Sequence, residues 1–270
     1  MHSHIGKVNF KTGDSLEFRM KDNMEINSRG ISDCGLKRGM NQDAIRVLQK
    51  GRSGLFLVAD GMGGHQHGER ASRHLAQAYQ NWWTQVFLPG SNQEFNRLMM
   101  SLKEVLYQAH EYIRNTTPAG EVCGSTIVLI LIHNGYYGII SVGDSRIYQN
   151  KGFRLHQLTS DDVWENLPQT VQAFSAKEIK AHMNYGKLVQ AVGVGEQISC
   201  HARTDQLKKK QIFLLCSDGI YKYCPERFLE KEMRTALRTG QLNESMERIR
   251  KKVYDNSAPD NLSAVMIRIE

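Results

Sequence analysis

Five aspartates stand where an apolar chain segment meets a turn. Leu55-Phe56-Leu57-Val58-Ala59 leads into Asp60, Tyr137 to Val142 with Gly143 leads into Asp144, and Ile212 to Cys216 with Ser217 leads into Asp218. Asp260 stands at the head of the run Leu262 to Ile269, and Asp43 at the head of the run that follows Asn41-Gln42. Carboxylates gathered at the end of a core sheet repel one another and lose hydration, at a cost of several kcal/mol per ion unless something cationic compensates. A metal cluster supplies that compensation. Oxygen donors without a Cys or His cluster suit hard ions such as Mg2+ or Mn2+ better than zinc. Any one of these aspartates alone reads as a turn or helix-capping residue; five at strand ends are harder to read that way. The string Asp60-Gly61-Met62-Gly63-Gly64 adds glycines that permit positive φ and let backbone carbonyls approach an ion.

The elements that must position these residues are mostly short and β-rich. Patterning predicts strands over Glu25 to Ser32, Asp43 to Leu48, Gly54 to Ala59, Ser125 to His133, Tyr136 to Val142, Arg146 to Gln149, Gln211 to Cys216 and Leu262 to Ile269. Several are apolar on both faces, as in sheets covered on both sides. Asn134-Gly135 predicts a tight hairpin between Ile132 and Tyr136. Helical spacing runs from about Gly68 through Trp83, from Glu94 to Arg114, and from about Pro225 to Tyr254. In the second stretch Leu98, Leu102, Val105, Leu106, Ala109 and Ile113 share one face. Strands in hairpins with helices kept apart predict an α+β layered fold on antiparallel sheets.

A chain of 270 residues with 40% hydrophobic residues can bury a sizeable core. It has five prolines and neither a repeat nor a low-complexity stretch, so a single domain is the simpler reading. The longest apolar run, Ile127 to Ile132, is far short of the roughly 20 residues that cross a bilayer. With no signal-like start, the expected home is the cytoplasm, with no membrane partner. The five cysteines, Cys34, Cys123, Cys200, Cys216 and Cys224, form no C-x-x-C pair and are expected to be reduced thiols. The formal charge of +7 from 35 basic and 28 acidic residues could favour nucleic acid, anionic lipid or phosphorylated substrates. No nucleic-acid module accompanies it, and nucleic acid is not an expected partner. Lys208-Lys209-Lys210 and Arg248 to Lys252 read as solvated faces.

In order along the chain stand Arg38-Gly39-Met40-Asn41-Gln42-Asp43; Val58 to His65 with Gly68-Glu69 and Ala71-Ser72; Gly124-Ser125-Thr126; Ser141 to Arg146; Leu158-Thr159; Ala191-Val192-Gly193; Cys216 to Ile220; and Asp260-Asn261-Leu262-Ser263. Any one is common, but their joint order, from about Ile26 to Ile269, resembles the bacterial branch of the PP2C (PPM) phosphatases. The resemblance implies a four-layer α-β-β-α sandwich, two central antiparallel sheets flanked by helices, with metals in the cleft at one end. It places a phosphatase domain over 25–270 after an N-terminal extension over 1–24, with a flap at about 160–187.

By position, the resemblance implies that Asp60 bridges two Mn2+ or Mg2+ ions, with Gly61 offering its carbonyl and Asp218 and Asp260 completing the first shell. Asp43 would hold metal-bound waters, and Asp144 with Asp218 would form a looser third site. Arg38, four residues before Gln42, matches the arginine that grips substrate phosphate through its planar guanidinium. The implied activity is hydrolysis of phosphoserine and phosphothreonine on proteins by attack of a metal-bridged water. Asp60, Asp218 and Arg38 are the expected catalytic residues. A cognate serine/threonine kinase system is the expected counterpart, and a monomer the expected state. Met62 stands where many relatives have an acid-donating histidine, Gln42 where some have glutamate, and Asp161-Asp162 where an acid and a histidine are common. His65 and His67 read as helix-entry or surface residues, and Trp164 as packing. The competing class is a catalytically weak phosphoprotein-binding regulator of the same fold.

Overall fold

The computed structural model describes residues 24–63, 67–90, 92–151 and 154–270. The expected extension over 1–24, apart from Met24, and the motif residues Gly64 and His65 lie outside the described residues. The strands are β1 (Ile26–Asp33), β2 (Asp43–Lys50), β3 (Ser53–Gly63), β4 (Cys123–Ser125), β5 (Ile127–His133), β6 (Tyr136–Val142), β7 (Arg146–Lys151), β8 (Arg154–Gln157), β9 (His201–Gln206), β10 (Gln211–Cys216) and β11 (Leu262–Ile269). The helices are α1 (His67–Trp82), α2 (Phe95–Thr116), α3 (Pro168–Ala173), α4 (Ala176–Ala181), α5 (Asp218–Tyr221), α6 (Glu226–Thr239) and α7 (Leu242–Asp255).

One sheet runs β1-β11-β10-β7-β8, the other β2-β3-β5-β6-β9 with β4 beside β3. Neighbours pair antiparallel in both sheets. Strands apolar on both faces divide their side chains between two cores by the period of two. Phe56, Val58, Val128 and Ile130 point between the sheets to meet Phe213, Leu215, Val265 and Ile267. Their neighbours Leu55, Leu57, Leu129 and Leu131 point outward against Leu75, Tyr79, Leu102 and Leu106 of α1 and α2. On the far side Leu214 and Met266 meet Leu229, Met233, Met246 and Ile249 of α6 and α7. The result is the α-β-β-α stack expected.

The Asn134-Gly135 hairpin forms as patterned, both residues at positive φ (48° and 77°) and His133 paired with Tyr136. Beyond shifts of one or two residues at element ends, four differences stand out. The strand expected to stop at Ala59 continues through Asp60 to Gly63. The run Ser125 to His133 is two strands separated at Thr126. The helical stretch Pro225 to Tyr254 is broken at Gly240, whose φ of 76° caps α6 in the left-handed region that β-carbons disfavour. A five-residue π-helical turn, Trp83–Phe87, prolongs α1. β8 and β9 were not anticipated. Every residue of β9 is solvent-exposed, so no apolar alternation marks it. No helix among the described residues is long and apolar enough to cross a membrane.

Candidate active site

Asp43 and Asp60 are directly opposed partners in the β2–β3 ladder, so the turn at Gly51 is enough to bring two carboxylates face to face. Like charges directly across a ladder destabilise it. Asp43 is buried and Asp60 half-buried at the end of the sheet, and the cost appears in their acidity. Burial pushes the Asp60 carboxyl well above its ordinary value of 3.8, and Asp43, Asp218, Asp144 and Asp260 raise it further, in that order. Asp43 is pushed up to about 7 by burial, against hydrogen bonds from Ser263 and Ser217, with Asp218 and Asp260 adding to the rise. Asp144 is raised by burial and then by Asp218. Five aspartates from five places in the chain therefore share one electrostatic cluster.

Each is positioned by local chemistry. Asp218 opens α5 directly after β10, and Asp260 precedes β11, the neighbour of β10 in the same sheet. Ser217 Oγ donates to Asp43 Oδ2 at 2.8 Å, tying the two sheets together beneath the cluster. The Asp60 carbonyl accepts from Thr126 N–H at 2.9 Å and from Ser125 Oγ at 3.0 Å. Gly61 is fitted to its neighbour without room for a side chain. A β-carbon there would lie 2.2 Å from the Gly68 carbonyl oxygen and 2.6 Å from that of Gln42. Gly61 N–H donates to the Gln42 carbonyl at 3.1 Å, which also accepts from Ser72 Oγ at 2.5 Å.

Two side-chain cations enter the cluster. Arg38 donates through Nε and Nη2 to the two oxygens of Asp260 at 2.8 and 2.9 Å, a bidentate pair. Lys222, one turn after Asp218, donates to its Oδ2 at 2.6 Å and lies 3.7 Å from Asp144. Among the described residues, no three His, Cys, Asp or Glu side chains are arranged to grasp one ion together. Asp218 and Asp260 turn instead to Lys222 and Arg38. The donor set nevertheless fits hard cations. Asp43 Oδ1 is buried with no hydrogen-bond partner, and Asp60 sits among carboxylates that raise its proton affinity, which is the environment a bound divalent ion relieves.

Several contributors were not singled out from sequence. Lys222 is the most legible of them, since the spacing of four from Asp218 places both on one helix face. Asn261 belongs to a quoted motif, yet its job is visible only in three dimensions. Its Oδ1 accepts from Gln42 N–H at 2.9 Å, and its Nδ2 donates to the Cys34 and Met40 carbonyls, holding the loop that carries Arg38. Asp161 holds Arg146 by three close contacts, the shortest 2.7 Å, and that guanidinium lies 3.7 Å over the Tyr221 ring. Tyr221 in turn donates to Asp144 at 3.3 Å. Asp162 accepts from Gly143 N–H at 2.8 Å and from Gln190 Nε2 at 3.1 Å, and contacts His201 Nε2 at 2.8 Å. No periodicity marks either residue.

The segment expected to be a flap holds a short 3-10 turn, Trp164–Asn166, with α3 and α4. Trp164 stacks on His182 at 4.0 Å and tilts against Phe174 at 5.6 Å, so it packs within the segment. Lys177 to Lys180 lie on α4 behind a Ser175–Glu178 capping box. The basic stretch Arg248 to Lys252 is dispersed in ion pairs with Glu232, Asp33, Glu247 and Asp255.

A sandwich of two antiparallel sheets between helix pairs, with a partly buried carboxylate cluster at one end, defines a class whose chemistry depends on hard cations. The chain belongs to the protein phosphatase 2C family, whose profile matches residues 36–265. It is 26% identical over 238 residues to the serine/threonine phosphatase stp of Listeria monocytogenes, covering 87% of this chain and 93% of that one. The same identity over 238 residues relates it to the serine/threonine protein phosphatase PstP of Mycobacterium tuberculosis, covering 87% of this chain but 43% of PstP. The chain thus spans less than half the length of PstP. A PstP catalytic-domain structure holding two manganese ions superposes with a TM-score of 0.73 at 23% identity, covering 92% of this chain and 99% of that one. PppA of Pseudomonas aeruginosa superposes with a TM-score of 0.76 at 25% identity, covering 92% and 100%.

Proposed function

We propose that the protein is a metal-dependent phosphatase that hydrolyses phosphoserine and phosphothreonine on other proteins. The observation that carries this is the convergence of Asp43, Asp60, Asp144, Asp218 and Asp260 on one end of the sandwich, in a chain of the protein phosphatase 2C family. Mg2+ or Mn2+ bound there would lower the pKa of coordinated water toward neutrality and offset charge on the phosphoryl oxygens. Asp60 would bridge two ions, with the Gly61 carbonyl, Asp218 and Asp260 completing one shell. Asp43 would orient waters, and Asp144 with Asp218 would hold a third, looser position.

Arg38 reaches the cluster with a planar fork, now paired with Asp260, whose geometry matches two phosphate oxygens; with cations on Asp260 it would be free to hold the substrate phosphate. Burial opposes the charge on the Lys222 ammonium, but Asp218, Asp144 and Asp60 hold it charged, and it would have to release Asp218 for that carboxylate to bind a cation. Tyr221, Arg146 and Asp161 hold Asp144 in place. In hydrolysis the water oxygen would bond to phosphorus as the bond from phosphorus to the serine or threonine oxygen breaks in line, a proton from the water ending on the departing oxygen. No acid stands at Met62 to protonate that oxygen. A cognate kinase system as counterpart, a monomeric state and a cytoplasmic home complete the proposal. Five cysteines outside any disulfide, three of them buried, fit such a compartment.

Release of phosphate from p-nitrophenyl phosphate and from a phosphothreonine peptide, with and without Mn2+, tests the proposal. Metal-stimulated release that disappears in Asp60→Ala and Asp218→Ala supports it. Tight phosphopeptide binding without release at any pH would make the protein a phosphoprotein-binding regulator instead.

A further inference from the structure

Beside the carboxylate cluster, a cleft of about 660 Å3 opens between β2 and the exposed side of α1, with Asp43 in its wall. Its lining carries three arginines, Arg46 on β2 and Arg70 and Arg73 on α1, against the single carboxylate of Asp43. Arg73 is neutralised by Glu69 one turn away, at 2.5 Å. Arg70 is exposed and has no partner among the described residues. Arg46 is half-buried, and its guanidinium reaches only neutral oxygens, Gln80 Oε1 and the Ile45 carbonyl, each at 2.8 Å. Burial without a carboxylate lowers the Arg46 pKa from its ordinary value. A half-buried guanidinium with only neutral acceptors is an unmet anion site. At the cleft's far wall His74 stacks on Tyr112 with ring centroids 4.1 Å apart, and Tyr112 is 55% exposed.

Geometry connects this cleft to the reaction centre. β2 is an outer strand of its sheet and begins at Asp43, inside the cluster. Arg46 follows three residues later, about 10 Å along an extended strand, on the face toward Gln80 of α1 while Asp43 turns to Ser217, so a ligand reaches both around the outer edge of β2. A peptide running beside β2 with its phosphorylated residue at the cluster would bring a side chain about two to four residues away to Arg46 and Arg70. We propose that this cleft is a docking site for an acidic or second phosphorylated side chain of the phosphoprotein substrate. The proposal rests on the phosphatase function above and adds a preference for acidic flanks. The cleft and the cluster would therefore act on opposite parts of one peptide: cations on the reacting phosphate, arginines on its anionic neighbour.

The test uses two phosphothreonine peptides alike except for glutamates or alanines at the positions two to four residues from the phosphothreonine. Binding is read by fluorescence anisotropy in the presence of Mn2+ with non-hydrolysable phosphonate versions of the two peptides, and turnover of the phosphothreonine peptides by phosphate release, with p-nitrophenyl phosphate as a substrate too small to reach the cleft. The wild-type protein should favour the glutamate peptide, and Arg70→Glu should weaken its binding and raise its KM by about fivefold to tenfold through lost and reversed charge. Arg46→Gln should do the same with a smaller effect, and both variants should keep kcat on p-nitrophenyl phosphate. Equal binding of the two peptides by the wild-type protein overturns the docking site, as does a tight single-stranded oligonucleotide complex that the glutamate peptide cannot displace. Absence of turnover on every substrate would sink the phosphatase function alone, because the anisotropy comparison still decides the docking site.

Discussion

Asp60 carries the sharpest conflict in the molecule, because its half-buried carboxylate lies opposite Asp43 and within reach of three more acids. Replacing it with asparagine removes a repelling charge without changing shape. Asp60→Asn should therefore fold at least as stably as the wild type without metal, by urea denaturation, while losing about a thousandfold or more in turnover. Arg38→Ala should act differently, raising KM for a phosphopeptide by about tenfold with a smaller effect on kcat, since its bidentate grip serves binding. The acidity of the cluster also fixes a pH dependence. Folded-state values raised above the unfolded one contribute stability that is complete below the ordinary value of 3.8 and is lost as pH rises through about 7, the value for Asp43. The metal-free protein should thus lose melting temperature from about pH 4 to about pH 7, and saturating Mn2+ should remove most of that slope. A metal-free melting temperature that rises over the same interval would contradict it.

The individual acids were legible in sequence because each follows or precedes an apolar run, whereas their supports were not. Asp161 and Asp162 sit in a loop with no period, and their partners Arg146, Gly143, Gln190 and His201 come from distant places in the chain. Asn261 looked like one letter of a motif until its amide was seen to hold three backbone groups of the Arg38 loop.

At the level of elements, the end of β3 is the joint on which the site turns. Sequence patterning stopped this strand at Ala59 because the apolar run stops there, but backbone pairing continues to Gly63, with Gly61 opposite Ser125 of β4. Pairing past a polar residue leaves no hydrophobic trace. Only glycine fits at 61, where a β-carbon would strike the Gly68 carbonyl oxygen. Gly61→Ala should cost about 2–4 kcal/mol of unfolding free energy through overpacking against backbone that cannot move aside. Gly39→Ala, with nothing within 4 Å of the added carbon, is the control and should cost little. The other misjudged elements have similar causes. β9 is exposed throughout, and the break between α6 and α7 hangs on the left-handed φ of Gly240 inside an otherwise continuous helical pattern.

Across the whole molecule, the two-core division of each central strand explains why the layers were legible. Runs such as Ile127 to Ile132 are apolar on both faces because each face meets a different layer, Ile130 the opposite sheet and Leu129 the helices. The same stack gives the carboxylates a rigid base, since β2, β3, β10 and β11 all end at the cluster with their side chains locked between layers. A cluster so held is set up to bind cations without rearranging the fold. Because Asp43 and Asp60 hold protons more tightly than ordinary carboxylates, cation binding near neutral pH must displace protons. Calorimetric titration of the metal-free protein with Mn2+ in buffers of different ionisation enthalpy reads both the number of ions and the protons released. Two or more ions bound with net proton release, lost in Asp60→Asn, is the predicted result; no Mn2+ binding, or binding unchanged by Asp60→Asn, would contradict the metal centre.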